Sequence, residues 1–164
     1  MRDGIISKGK AVMSKLLLEY VSPVALPALA RFSVPEIFRE GKITDGMNIL
    51  MVGEDFAAHL LDKIEDPVPA IGLHLHELRE SVSDRPIMTL LGEEVGVEIT
   101  AGQFWEFLKT AKRTHWYVGY IRGKGGLLRG VHAGWMFEGL HIESGPLNRS
   151  HGWGVGNRFL AHGS

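Results

Sequence analysis

Cysteine is absent from all 164 residues of the chain. This absence excludes disulfide bonds, thiolate metal sites and catalysis by a thiol nucleophile. The sequence also lacks an apolar run of about 18 residues, so we expect no transmembrane segment. Neither the Gly-x-Ser-x-Gly nucleophile elbow nor the Gly-x-Gly-x-x-Gly nucleotide-binding loop occurs. The signatures of α/β-hydrolases and of dinucleotide-binding domains are therefore missing.

The composition is that of a soluble globular protein. Hydrophobic residues make up 45% of the chain and charged residues 23%, which is ordinary for a domain with a hydrophobic core. We expect a protein of the cytoplasm or of a virus particle. No pattern in the sequence requires a cofactor or a metal ion.

Charge is distributed unevenly along the chain. Residues 43–106 contain 3 basic and 13 acidic side chains, whereas residues 107–164 contain 8 basic and 2 acidic side chains. Such asymmetry predicts complementary charged surfaces, either within one molecule or between copies of it.

The N-terminal half is predicted to be helical. Apolar residues at helical spacing predict a helix over residues 11–21, which Pro23 would stop. Ser33 and Glu36 form a capping-box pattern that predicts a second, short helix. Asp66 and Pro67 have the pattern of an N-cap and a first-turn proline. They predict a helix that continues to about residue 81, with a stripe formed by Ile71, Leu75, Leu78 and Val82.

Residues 47–52 fit two interpretations. They can form a buried strand followed by a helix over residues 54–64, or they can belong to one long helix that begins at Asp45 and tolerates Gly53 at a cost of about 1 kcal/mol. We favour the helix.

The C-terminal half has the patterns of strands. Residues 87–91 and 95–99 read as strands, and the capping box of Thr100 and Gln103 predicts a helix to about residue 111. Bulky residues alternate over residues 115–121, which predicts a central strand covered on both sides, and a Gly-rich turn precedes a return strand over residues 127–133. A later strand is predicted over residues 137–142.

These elements together predict an α+β fold, with a helical N-terminal half followed by a small, mostly antiparallel sheet and one packed helix. We divide the chain into an N-terminal helical arm (1–42), a helical segment (43–84) and an α+β domain (85–164). Residues 43–164 are expected to form one compact unit.

The strand pair described above carries a resemblance to a known group of proteins. The order His115-Trp116-Tyr117-Val118, then a glycine turn, then a strand that ends in Val131-His132, resembles the histidine box of permuted papain-like proteins. This group includes NlpC-like peptidases and lecithin:retinol acyltransferase-like enzymes. The resemblance covers about residues 85–160, and residues 85–91 resemble the first strand of that group. It implies a papain-like fold with His115 as the general base.

The chain departs from that group in its nucleophile. The resembled enzymes attack with a cysteine thiolate, which this sequence cannot supply. If the chain is catalytic, a serine must take that role, and the downstream candidates are Ser144 and Ser150. The absent cysteine favours a protein that is not an enzyme.

Three functions are consistent with the sequence. The first, which we favour, is a non-catalytic structural or interaction protein that binds other proteins or copies of itself in a larger assembly, such as a phage particle. The second is a hydrolase or acyl transferase that uses His115 with a serine. The third is nucleic-acid binding, because aromatic and basic residues interleave in the C-terminal third as in single-strand binders; the residues concerned are Trp116, Tyr117, Arg122, Lys124 and Arg129.

Overall fold

The computed structural model describes residues 17–147 and 151–163. In these ranges the strands are β1 (Leu18–Leu26), β2 (Phe32–Ser33), β3 (Ile43–Thr44), β4 (Met47–Val52), β5 (Ile64–Glu65), β6 (Ile71–Leu78), β7 (Glu98–Ile99), β8 (Tyr117–Arg122), β9 (Leu128–Met136), β10 (Gly139–Pro146) and β11 (Arg158–His162). The helices are α1 (Val34–Ile37), α2 (Glu54–His59), α3 (Asp84–Leu90), α4 (Glu93–Val97) and α5 (Ala101–Thr110), together with one 3-10 turn (Lys124–Gly126).

The architecture is a nine-stranded mixed sheet in the order β1-β6-β11-β8-β9-β10-β4-β3, with β7 paired beside β8. The pairs β11/β8, β10/β4 and β7/β8 are parallel, and the others are antiparallel. Strands β2 and β5 form a separate two-stranded ribbon. The sheet takes strands from all three of the predicted segments.

Both faces of the sheet are buried, each in its own core. One face, which we call the α5 face, packs against α1, α2 and α5, and its buried strand residues include Leu75, Tyr117, Val131, Ile142 and Leu160. The other, the α3 face, packs against α3 and α4, and its buried strand residues include Leu78, Val118, Tyr120 and Phe159. Consecutive residues of β8 therefore enter different cores, as the period of a strand requires.

The prediction of a helical N-terminal half is wrong, and so is the prediction of a small sheet with one packed helix, because the sheet has nine strands, mixes antiparallel with parallel pairs and has helices on both faces. The part of the predicted 11–21 helix beyond residue 17 lies in β1, and residues 11–16 fall outside the described residues. Strand β1 lies at the edge of the sheet and pairs with β6. Pro23 fits there because an edge strand does not need every backbone N–H. This proline breaks a helix but not an edge strand.

The predicted helix over residues 67–81 is strand β6. Leu73 and Leu75 are 0% and 5% exposed and both lie in the α5-face core. On a helix, two residues two positions apart are rotated by about 200° about the axis, so these leucines would lie on nearly opposite sides. The intervening His74 and His76 are partly exposed on the opposite side. The sequence matches both periods, and burial of the two leucines on one face selects the strand.

Residues 47–59 follow the less favoured interpretation. Strand β4 comes first, Gly53 is the N-cap, and α2 follows. The expected short helix at residue 34 is present as α1, with Ser33 at its N-cap, although the Ser33 side chain makes no capping hydrogen bond.

The strands predicted over residues 87–91 and 95–99 are mainly helical. Pro86 lies in the first turn of α3, where a missing N–H costs nothing. Val95 is 87% exposed in α4, whereas Val97 is fully buried. The apparent alternation of apolar residues therefore does not correspond to one buried face.

The helix and strand pair around β8 are where the sequence predicts them. The Thr100 hydroxyl accepts from the Gln103 N–H at 3.0 Å, and the Gln103 side chain accepts from the Thr100 N–H at 2.9 Å, so the capping box of α5 is formed. The buried Glu65 carboxylate accepts from the backbone N–H groups of Ala101 and Gly102, at 2.8 Å each. Strand β8 is central, between β11 and β9.

The turn that joins β9 to β10 has an unusual backbone. Phe137 and Glu138 have φ angles of 52° and 63°. Positive φ at both central residues is the geometry of a type I′ hairpin turn, which normally has Asn and Gly at these positions. A phenylalanine at positive φ is sterically unfavourable. Packing of its ring does not compensate, because the side chain is 82% exposed.

We expect the double substitution Phe137→Asn with Glu138→Gly to raise the free energy of unfolding by about 1–2 kcal/mol, because Asn and Gly adopt positive φ with less steric strain than Phe and Glu. Urea denaturation of the purified chain measures the change. Phe137→Ala is the matched control, since it removes the ring but keeps a side chain at positive φ. Equal stability of the two variants would show that the turn is not strained.

Candidate functional site

His115, the predicted general base, lies in the turn before β8 and is partly exposed. Its Nδ1 is 3.0 Å from the Thr114 hydroxyl. Burial lowers the pKa of His115, and the nearby charges of Arg158 and Lys112 lower it further against the opposing effect of Glu77. The imidazole is therefore neutral at neutral pH and can accept a proton.

The predicted nucleophile Ser144 is held elsewhere. It lies on β10 opposite Val131, which in turn lies opposite Gly119 of β8. Two strand spacings separate it from β8, or about 10 Å, so its hydroxyl is out of hydrogen-bonding reach of His115. The Ser144 hydroxyl instead donates to Asp55. The other candidate, Ser150, lies outside the described residues.

Asp55, Arg129 and Ser144 form a polar cluster on the α5 face. Arg129 is only 8% exposed and donates from Nε to Asp55 Oδ1 at 2.8 Å and from Nη2 to Oδ2. Burial alone would raise the pKa of Asp55, but the hydrogen bonds from Arg129 and Ser144 and the charge of Arg129 outweigh it. The pKa of Asp55 therefore lies below its ordinary value. This cluster ties α2 to β9 and β10.

A second group of side chains, the histidine cluster, lies on the α3 face: Trp116, His132, Trp153 and Asn157. The rings of Trp116 and His132 are tilted by 36° with centroids 4.4 Å apart, and the Trp153 ring lies 5.2 Å from His132. His132 Nε2 is 3.1 Å from Asn157 Oδ1. A Cβ atom at Gly134 would lie 2.2 Å from the Trp116 ring, so only glycine there lets the indole cover the strand.

Trp153 is fixed in this cluster by a buried carboxylate. Its indole nitrogen donates to Asp84 Oδ1 at 2.6 Å, and the Tyr120 hydroxyl donates to the same oxygen at 2.8 Å. Asp84 is 1% exposed. Its other oxygen, Oδ2, has no hydrogen-bond partner among the residues described. By accepting from the indole N–H, the Asp84 carboxylate orients the Trp153 ring against His132.

The sequence predicts a role for His115 but carries no signal for the histidine cluster. His132 stands out only as a polar residue between Val131 and Ala133 in an apolar strand. Asn157 lies 25 residues further along the chain and carries no local signal that links the two. Ser144 and His132 lie on opposite faces of the sheet, since Ser144 pairs with Val131 and Glu143 pairs with His132.

The residues predicted to bind nucleic acid are largely engaged within the molecule. Arg122 contacts Glu98 at 2.6 Å, Lys124 contacts Asp62 at 2.8 Å, and Arg129 pairs with Asp55. Tyr117 is 1% exposed and Trp116 packs against His132. The basic last third is thus paired with the acidic middle third inside one molecule, which leaves less positive charge for a polyanion.

Two features are absent from the part of the chain that the structure describes. No group of three or more His, Asp or Glu side chains is arranged to hold a metal ion. None of the helices in that part has the length and apolar character required to cross a membrane.

Comparison with known proteins found no match to a family model, to a curated protein or to a solved structure.

Asp55→Asn should lower the free energy of unfolding by about 2–3 kcal/mol, because the buried Arg129 guanidinium loses its ionic partner. The folded pKa of Asp55 lies below its ordinary value of 3.8. Its contribution is therefore present above pH 3.8 and is lost as the pH falls through the folded pKa. Urea denaturation between about pH 7 and pH 2.5 measures both effects.

Glu54→Gln is the control for this substitution, because Glu54 is an exposed neighbour in the first turn of α2. Its loss should cost no more than about 1 kcal/mol. If the two substitutions lower the free energy of unfolding equally at pH 7, Asp55 does not hold the polar cluster of Asp55, Arg129 and Ser144 together.

Proposed function

We propose that the protein is a non-catalytic interaction protein that serves as a subunit of a larger assembly. The observation that carries this proposal is an exposed apolar surface at the end of the β9–β10 hairpin. We call it the apolar tip, and it consists of Leu50, Met136 and Phe137, which are 36%, 42% and 82% exposed. Leu50 lies against Gly139, the partner of Met136 across the hairpin. Contiguous exposed apolar residues of this kind mark interaction sites.

The polar side chains support the same proposal. The Ser144 hydroxyl is bound to Asp55, and among the described residues no hydroxyl is hydrogen-bonded to His115 except that of Thr114. Catalysis by a serine requires a base within hydrogen-bonding distance of its hydroxyl. A histidine without a serine hydroxyl within hydrogen-bonding distance fits a protein that binds a partner rather than one that converts a substrate.

The kinship to papain-like proteins is part of this proposal. The adjacent antiparallel strands β8 and β9 support it, because they have the order and the turn that the resemblance implies. Residues 85–91 do not, since Arg85 to Leu90 lie in α3 rather than in a first strand. A phage particle is one assembly in which such a subunit would serve.

A second candidate is favoured by one contact. The hydrogen bond between His132 and Asn157 orients an imidazole, as a partner does for a general base. A hydrolase or acyl transferase on this scaffold would then use His132 in place of His115.

The two candidates predict different results in one assay. We expect no turnover of ester and peptide substrates by the purified chain above the uncatalysed rate, and no change on His115→Ala or His132→Ala. The mass of the complex isolated from cells that produce the protein should be larger than that of the chain, and His115→Ala should leave it unchanged.

Other outcomes separate the alternatives. Turnover that disappears in His132→Ala but persists in His115→Ala would establish the second candidate. Turnover that depends on His115 would establish the sequence-based hydrolase hypothesis instead. A chain that is found alone in cells, without turnover, would contradict the assembly role.

A further inference from the structure

The apolar tip projects one side chain more than the others. Phe137 is 82% exposed and stands at a positive φ angle, where the backbone favours Asn or Gly. Strain of this kind persists when the surrounding structure imposes it, and it concentrates at binding and switch positions. The neighbouring Glu138 is exposed and has no ion pair within the described chain. The hairpin therefore presents an aromatic ring beside a carboxylate.

A pocket of complementary character lies at the same end of the sheet. It has a volume of about 390 Å³ and lies between β1 and the end of α5. This size falls at the lower end of the range of ligand pockets, about 300–1,000 Å³. Its apolar walls include Val21, Leu75, Phe107 and Tyr117, and its cationic groups are Lys112 and Arg158.

The charges of the pocket match those of the tip. Arg158 is already paired with Glu77 at 3.1 Å. Lys112 is exposed and has no carboxylate partner among the residues described. A phenyl ring in the pocket would bring the carboxylate of the next residue towards this ammonium group.

The tip cannot fill the pocket of its own molecule. Tyr117 of the pocket wall pairs with Ala133 of β9, and Phe137 follows four residues later, or about 13 Å along the strand. Trp135 stands between them, with its ring 6.1 Å from that of Tyr117. The tip and the pocket are therefore separate surfaces at one end of the sheet.

We propose that the protein forms a two-fold symmetric dimer in which Phe137 of each copy enters the α5–β1 pocket of the other, with Glu138 placed near Lys112. A two-fold axis permits both contacts at once, because tip and pocket lie at the same end of each molecule. This inference rests on the proposed function and names its partner as a second copy of the chain. The Glu138 carboxylate beside the ring is unfavourable for docking on an anionic membrane surface.

Sedimentation velocity of the full chain over a range of concentrations tests this proposal. The unmodified protein should approach twice the 18.1 kDa mass of one chain. Phe137→Asn should raise the dissociation constant at least about 30-fold, as expected for an aromatic anchor. At a concentration at which both proteins are monomeric, the same variant should melt at the same or a higher temperature, which a purely structural role of the ring would not produce.

Thr110→Trp is the matched variant on the pocket side, because Thr110 is exposed and lines the pocket. It should weaken self-association to the same degree. An equal mixture of the two variants retains one intact ring and one intact pocket, so it should form a heterodimer more tightly than either variant dimerises alone. The charge swap of Glu138→Lys with Lys112→Glu should restore what each single reversal loses.

The proposal is overturned if the unmodified chain stays monomeric up to about 1 mM, if both variants dimerise normally, or if mixing restores nothing. A monomer that still joins a complex with another protein overturns the dimer but leaves the assembly role intact. A chain that neither dimerises nor enters a complex overturns both.

Discussion

Burial of β8 on both sides is the constraint on which the rest of this structure depends. Residues Tyr117 to Ile121 are buried without exception, and their side chains enter two separate cores in turn. Each fully buried aliphatic or aromatic side chain contributes about 1.5–3 kcal/mol relative to an exposed one. Gly119 is part of this constraint, since a Cβ atom there would lie 2.8 Å from Ile99 and 3.2 Å from Phe104. The strand therefore accepts little variation on either side.

A sheet covered in this way leaves its polar groups either at the margins or, like Asp84, hydrogen-bonded inside a core. His115 lies in a turn, the Asp55–Arg129 pair lies where α2 meets the sheet, and the histidine cluster lies on the α3 face. The ion pairs between the last third and the middle third join segments far apart in the chain. They neutralise the charge asymmetry locally and leave Lys112 and Glu138 without carboxylate or basic partners among the residues described.

The elements that sequence reasoning predicted correctly are those with local signals. The capping box at Thr100 marks α5, and alternation over residues 115–121 marks β8, because each pattern is complete within a few residues. Strand β6 was missed because its leucines also fit a helical stripe, and only the shared burial of Leu73 and Leu75 decides between them. The candidate site was harder, since the partners of His132 and Arg129 lie 25 and 74 residues away in the chain. The charge counts predicted complementary surfaces but could not say which carboxylate meets which cation.

The position of β11 has a consequence for how the chain is made. This strand comes after the other described strands in sequence, yet it lies between β6 and β8 in the sheet. While the chain is being synthesised, β1 and β6 can pair, and so can β8, β9 and β10, but the two groups have no common neighbour until residue 162 leaves the ribosome. Pairings between such distant segments form slowly. The nascent chain therefore carries two separate groups of paired strands with open edges until β11 emerges and joins them.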